Sequence, residues 1–153
     1  MKGIQAPTVK YTLERDRDPD VPQKERTTWH IKIFTPVDQV RVSKRLNRAI
    51  KVGAGSNTAD IDDRNYLKAQ KGDWQDAVQR VENYQFGYKF EEERDKGYIK
   101  NIEDPDMIMR IFEDIPTAVR DEILKVSTGD IQAEYEVDIG DIDPKKSNLP
   151  STT

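Results

Sequence analysis

The sequence contains no cysteine and only one histidine, His30. The lack of thiols excludes disulfides, thiolate metal sites and cysteine nucleophiles. A single histidine cannot build a multi-histidine metal site. No stretch approaches the roughly 20 apolar residues of a membrane-spanning helix, and Met1–Lys10 lacks the apolar run of a signal peptide. We therefore expect a protein that is made in a cytoplasm, or assembled there into a particle, with no membrane partner.

Apolar residues are also scarce. They account for 35% of the 153 residues, charged residues account for another 35%, and the net charge is −4. A chain of this length can bury one core, but this composition keeps that core modest. Nucleic-acid binding usually requires a basic excess, which is absent here. The composition favours one globular domain, residues 1–129, followed by an acidic and then polar C-terminal arm, residues 130–153, partly disordered unless docked.

Two N-terminal segments alternate between apolar and polar residues, as strands do. Val9–Leu13 places Val9, Tyr11 and Leu13 on one face, and Thr27–Phe34 places Trp29, Ile31 and Ile33 on one face. His30 falls on the opposite face of the second strand, and we expect it at the sheet surface. A further short strand is expected within Ile131–Ile142.

The spacing predicts a helix from Pro36 to Val52. Thr35 suits the N-cap and Gly53 the C-cap, and Gly53–Asp63 should follow as a flexible loop. The residues expected to face the core are Val42, Leu46, Ala49 and Ile50.

A second helix is predicted to begin at an Asp73 cap and to bury one stripe of residues, namely Trp74, Ala77, Val78, Val81 and Tyr84. Near the C-terminus, Asp104 and Pro105 should start a third helix that ends at Ile115, and Pro116 should open a fourth that ends at Gly129. Together these elements predict an α+β fold, in which a small N-terminal antiparallel sheet is packed by three to four helices and followed by an extended C-terminal arm.

No motif supports catalysis or a cofactor. Asp16, Asp18 and Asp20 have the spacing that opens a calcium loop, but Val21 and Thr27 occupy the positions that require glycine and glutamate. The glycine-rich segment 53–58 lacks the lysine of a phosphate-binding loop. We therefore predict no catalytic residue, no metal ligand and no cofactor.

Five cations recur at helical spacing on the first predicted helix. This basic stripe consists of Arg41, Lys44, Arg45, Arg48 and Lys51. Three interpretations stay open: a solvated face balanced by acids elsewhere in the fold, a contact with an acidic protein, or a contact with the phosphates of a nucleic acid.

Four aromatic residues alternate with polar ones further along the chain. This aromatic run consists of Tyr84, Phe86, Tyr88 and Phe90. Such residues can stack on single-stranded bases, but they more often form half-buried core or anchor a protein interface. We count the basic stripe and the aromatic run as the candidate interaction residues.

Two segments resemble small proteins encoded in the structural gene cluster of tailed bacteriophages. The first joins Tyr11–Leu13 to Thr27–Pro36 and leads into a helix, and the second is the proline-started helix Ile115–Leu124. Gly72-Asp73-Trp74 is a distorted counterpart of the central tryptophan-glycine segment usual in that family.

The resemblance implies a non-catalytic protein of the virion, assembled in the host cytoplasm, that docks onto other phage structural proteins in a multi-subunit head, neck or tail. Two alternatives stay open: a tail assembly chaperone that is absent from the mature particle, and a small nucleic-acid-binding protein that uses the basic helix.

Overall fold

The computed structural model describes residues 7–52, 59–61, 63–87 and 90–135, and it mixes strands with helices along this part of the chain. The strands are β1 (Thr8–Tyr11), β2 (Thr28–Lys32), β3 (Ile50–Val52), β4 (Ala59–Ile61), β5 (Val78–Tyr84), β6 (Ile99–Ile102) and β7 (Glu134–Tyr135). The helices are α1 (Pro36–Ala49), α2 (Asp63–Ala77), α3 (Glu91–Asp95), α4 (Pro105–Asp114) and α5 (Thr117–Thr128). The predicted α+β class is confirmed.

Five strands form one antiparallel sheet in the order β6-β5-β2-β1-β7. Tyr11 lies opposite Trp29, Trp29 opposite Val81, and Val81 opposite Ile102. Directly opposed residues share a face of a sheet, so these four make a continuous apolar surface across it. The predicted N-terminal strand pair is therefore the centre of a larger sheet whose other strands come from the second half of the chain.

Strand β7 joins the sheet beside β1, where Tyr135 lies opposite Val9 and Glu134 opposite Lys10. It falls within the short strand predicted for 131–142, and it lies beyond the predicted domain boundary at 129. Residues 136–153, which make up most of the predicted arm, lie outside the described residues.

Aromatic side chains fill the centre of the core, where the helices cover the sheet. The Trp74 ring lies 5.8 Å from that of Trp29 and 5.6 Å from that of Phe112, both edge to face. The indole Nε1–H of Trp74 also donates a hydrogen bond of 3.0 Å to the backbone carbonyl of Ile108 on α4. Trp74 thus holds α2, α4 and the sheet together, through apolar burial and one satisfied polar group.

Helix α1 begins as predicted but ends early. Thr35 and Asp38 form a reciprocal capping box at its start. The helix stops at Ala49 rather than Val52, because Ile50–Val52 form β3 and pair with β4. Ile50 and Val52 are β-branched residues that favour a strand when a partner strand is present. Ala59–Ile61, expected as loop, supply that partner strand.

The predicted second helix is wrong in its bounds. Helix α2 runs from Asp63 to Ala77, and the following residues form β5 instead of continuing the helix. The buried residues of β5 are Val78, Val81 and Tyr84, which are three residues apart as in a helix. A bulge opposite His30 and Ile31 and a positive φ of 59° at Asn83 break the strand alternation and produce this spacing.

The two C-terminal helices agree with their sequence signals. Asp104 caps α4, whose buried face includes Ile108, Ile111 and Phe112. Helix α5 follows Pro116 and ends at Gly129, which has a φ of 87° that glycine adopts without strain. Among the described residues, no helix is both long and apolar enough to cross a membrane.

Candidate docking surface on the α1–α2 hairpin

Helices α1 and α2, with the β3–β4 strand pair between them, form a hairpin that we call the α1–α2 hairpin. Arg45 of α1 joins the two helices: its Nη1 lies 2.8 Å from Asp73 Oδ1 and its Nη2 lies 2.5 Å from Asp76 Oδ2. Gly72 of α2 lies beneath this side chain and packs closely against it: a Cβ added at Gly72 would lie only 2.7 Å from Arg45 Nε. The ion pairs and the close approach fix α1 against α2.

The protonation behaviour of this cluster follows from its partial burial. Burial raises the pKa of Asp73, an effect that the Arg45 guanidinium opposes through its hydrogen bond and charge. Burial also acts to lower the pKa of Arg45, but the hydrogen bonds and charges of the two carboxylates outweigh it, so that this pKa is raised. Arg45 therefore stays protonated and paired.

A second polar cluster attaches the start of α1 to the sheet. Asp38 Oδ2 accepts hydrogen bonds of 2.9 Å from both the backbone N–H and the hydroxyl of Thr35. Lys32 Nζ lies 3.1 Å from the same carboxylate. The hydrogen bond from the Thr35 backbone lowers the pKa of Asp38, burial opposes this, and Lys32 reinforces it. Asp38 is therefore an ionised, almost completely buried anchor for α1.

Most apolar residues of α1 face outward. Five of the six large hydrophobic side chains exposed in the described part of the chain lie on this hairpin, namely Val37 (63%), Val40 (53%), Leu46 (40%), Tyr66 (38%) and Leu67 (41%). Leu46 is a correction, since the sequence predicts it in the core. Ala49 is buried as predicted, and Val42 is half-buried against the core. Clustered exposed apolar groups mark an interaction surface.

The basic stripe is divided by the fold. Arg45 forms ion pairs with aspartates of α2, and Arg41 Nη1 lies 3.8 Å from Asp38 Oδ1. Lys44 and Arg48 are exposed and have no ion-pair partner among residues 7–52, 59–61, 63–87 and 90–135. The side chain of Lys51 lies outside the described residues.

Helix α2 extends the basic surface. Lys68 is exposed and shares with Arg48 the lining of a cleft of about 450 Å³. We call the exposed group Val37, Val40, Lys44, Arg48 and Lys68 the hairpin surface. Sequence reasoning found its α1 cations but not its valines or Lys68. The sequence spacing could have placed the valines on this surface, because Val37, Val40, Lys44 and Arg48 recur at intervals of three and four and so share one helix face.

The aromatic run does not join this surface. Tyr84 and Phe86 are buried in the core, and Phe90 is half-buried with its ring 5.8 Å from that of Phe86. Tyr88 lies outside the described residues. Tyr84 and Phe86 are thus core residues rather than contact residues, and their rings are not open to stack on bases.

His30 is not a surface residue, although it lies on the polar face of the sheet. It is only 3% exposed, between the neighbouring strands, and its Nε2 lies 3.2 Å from Glu82 Oε2. Burial acts to raise the pKa of Glu82, but the hydrogen bond and charge of His30, with help from Arg80 and Lys10, lower it. The prediction of a surface histidine is wrong: His30 is buried, with Lys10 and Arg80 directly opposite it on the two neighbouring strands and Glu82 beside it.

No protein-family model, curated protein or solved structure matches this chain. Within the described ranges, no group of three or more histidine, aspartate or glutamate residues is arranged to hold a metal ion. The arrangement supports binding: two helices joined by partly buried ion pairs present valines beside exposed cations.

Proposed function

We propose that this protein is a non-enzymatic docking subunit, and that the hairpin surface contacts a partner protein with apolar and acidic groups. The observation that carries the proposal is that this surface contains Val37 and Val40, the two most exposed of the six exposed large hydrophobic residues in the described part of the chain. Leaving such residues in water is unfavourable, and their burial in an interface stabilises a complex. Lys44, Arg48 and Lys68 beside them favour an acidic partner.

The rigidity of the hairpin supports the same proposal. Arg45 is held by two aspartates of α2, and Asp38 fixes the first turn of α1 to β2. A surface that is ordered before binding loses less conformational entropy on docking. The hairpin surface is therefore suited to a defined partner.

A tailed-phage particle is the assembly that the resemblance suggests, with the chain as a minor head, neck or tail component. The segments that carry the resemblance form an N-terminal strand pair, a capped helix and a proline-started helix, the layout that it implies. The proposed partners are thus other phage structural proteins.

Nucleic acid is the second candidate, favoured by the exposed Lys44, Arg48 and Lys68. This alternative is less favoured because Val37 and Val40 lie on the same helix face as Lys44 and Arg48. Contacts of these cations with phosphates would leave the two valines exposed to water. A phosphate-binding surface would also lose affinity steeply as salt rises, because bound counterions are released.

Targeted mass spectrometry of purified particles tests the proposal. A virion subunit occurs at a fixed copy number, and that number should stay constant after nuclease treatment and a wash at high salt. Its absence from mature particles, together with binding to a tail component before assembly, would instead support the chaperone alternative. Loss of the protein on nuclease treatment or with salt would support the nucleic-acid alternative.

A further inference from the structure

Within the described part of the chain nothing covers the hairpin surface, yet the sequence holds a segment whose chemistry matches it. Residues 136–143 read Glu-Val-Asp-Ile-Gly-Asp-Ile-Asp, with four carboxylates, three β-branched apolar residues and no base. The hairpin surface combines two valines with the cations Lys44, Arg48 and Lys68. Apolar groups flanked by opposite charges are the complementarity of a protein interface. We call residues 136–143 the acidic segment.

The order of residues along the two partners also matches. From its first turn onward, the exposed face of α1 presents two valines and then two cations. The acidic segment places Val137 and Ile139 before Asp141 and Asp143. A segment that runs along α1 from its N-terminal end therefore sets apolar residues on apolar residues and acids on cations.

Strand β7 leads the chain toward the N-terminal end of α1. In its antiparallel pairing with β1, β7 runs from Lys10 toward Val9 and ends opposite Val9. The preceding residue of β1, Thr8, lies opposite Lys32, the last residue of β2, and α1 begins four residues later. The chain therefore leaves β7 toward the end of the sheet at which α1 starts.

The acidic segment is also long enough to reach α1. Eight extended residues span up to about 27 Å. Adjacent strands lie about 4.8 Å apart, so β7 and β2, with only β1 between them, are about 10 Å apart. The face of α1 from Val37 to Arg48 is about 16 Å long. The segment can therefore cross from β7 to α1 and lie along it.

We propose that the acidic segment docks on the hairpin surface of its own chain and covers it until a partner protein displaces the segment. Val137 and Ile139 pack on Val37 and Val40, and the carboxylates pair with the three cations. A covalently attached segment competes at a high effective concentration, so it keeps the surface of the free chain covered. This inference rests on the proposed function, because it makes the partner's acidic and apolar groups competitors of the chain's own.

The absence of cysteine allows the segment to carry a single nitroxide label, attached at Gly140→Cys in the ¹⁵N-labelled full chain. A docked segment brings the unpaired electron close to α1. We therefore expect broadening of the backbone amide signals of the hairpin surface, namely those of Val37, Val40, Lys44, Arg48 and Lys68.

Loss of the three cations should uncover the surface. Each exposed ion pair changes an equilibrium constant about two- to threefold, so Lys44→Gln, Arg48→Gln, Lys68→Gln should lower the ratio of docked to free segment roughly tenfold. The broadening should fall accordingly. The matched control removes three exposed cations elsewhere and should leave the broadening unchanged; it consists of Lys24→Gln, Lys100→Gln and Lys125→Gln.

A second variant removes the same contacts from the other partner. Asp138→Asn, Asp141→Asn, Asp143→Asn neutralises the segment and should reduce the broadening as the cation variant does. It keeps the proposal testable if the cation variant does not fold.

Three results would overturn the proposal. One is the absence of broadening at the hairpin surface, and another is equal broadening in the cation variant and its matched control. The third is broadening of an unlabelled ¹⁵N chain mixed with nitroxide-labelled ¹⁴N chain, which would place the segment of a neighbouring copy on the surface. These measurements concern the free chain, whereas incorporation into particles tests the proposed function, so either can fail without the other.

Discussion

Gly72 lies beneath the Arg45 side chain, and the substitution Gly72→Ala sets two opposing effects against each other. Alanine in place of glycine inside a helix stabilises it by about 1 kcal/mol. The new Cβ, however, would lie 2.7 Å from Arg45 Nε and 2.9 Å from its Cδ, so the Arg45 side chain would have to shift, which weakens its ion pairs with Asp73 and Asp76. Charge-assisted hydrogen bonds contribute roughly 1.5–3 kcal/mol when buried and less near the surface, so we expect a loss of about 1–2 kcal/mol.

The net effect of Gly72→Ala in the wild-type chain should therefore lie between zero and about 1 kcal/mol of destabilisation. In an Arg45→Ala background the clash and the ion pairs are both gone, and the same change should stabilise the chain by about 1 kcal/mol. Urea unfolding of the four chains, followed by circular dichroism, gives the coupling free energy, which we expect at about 1–2 kcal/mol. An equal stabilisation by Gly72→Ala in both backgrounds would refute the packing of Arg45 over Gly72.

Two further predictions concern single anchors of the fold. Asp38→Asn should cost about 1–2 kcal/mol at neutral pH, because it weakens the capping box and removes the ion pair with Lys32. The pKa of Asp38 is lowered in the folded state, so its stabilisation is full above the unfolded pKa of about 4 and is lost as pH falls through the folded pKa. The unfolding free energies of wild type and Asp38→Asn should therefore converge in acid. A difference between them that stays constant with pH would contradict this. Trp74→Phe should cost roughly 2–4 kcal/mol, because it leaves a cavity and a buried Ile108 carbonyl without its donor; thermal unfolding measures this, and a cost below about 1 kcal/mol would contradict the described core.

Local signals account for the elements that the sequence predicts correctly. Thr35 with Asp38, Asp104 before Pro105, and Gly129 all act through backbone groups within a few residues, so they can be read from the chain itself. Strand β5 could not be predicted in this way. Its period-three burial depends on a bulge against β2, which is a property of the strand pairing and not of the segment.

The candidate site was only partly predictable for the same reason. The outward cations Lys44 and Arg48 follow from helical spacing. Arg45 lies between Val42 and Ala49 on the inward-facing stripe of α1, a position that favours an ion-paired arginine. Its aspartate partners, however, are 28 and 31 residues away along the chain and could not be identified from the local sequence. The spacing of Val37 and Val40 places them on one helix face with Lys44 and Arg48, but whether another element covers that face depends on the tertiary packing of α1, which the local sequence does not determine.

The burial of Tyr84 and Phe86 likewise depends on distant residues. Tyr84 donates its hydroxyl hydrogen to Asp114, and its ring contacts Trp29, far away along the chain. An alternating aromatic segment has the same pattern in a core as in an interface, so the sequence alone left both interpretations open.

Competitive incorporation into particles is the measurement that tests the docking proposal most directly. Wild-type chain and a Val37→Asp, Val40→Asp variant are co-expressed during phage growth, and targeted mass spectrometry compares their ratio in purified particles with their ratio in the lysate. The matched control is Ala118→Asp, which adds a carboxylate at an exposed position on α5. We predict that the valine variant falls at least about tenfold in particles, since burying a carboxylate in an interface is unfavourable, whereas the control is incorporated like wild type. Equal incorporation of the valine variant and wild type would contradict the hairpin surface as the docking surface.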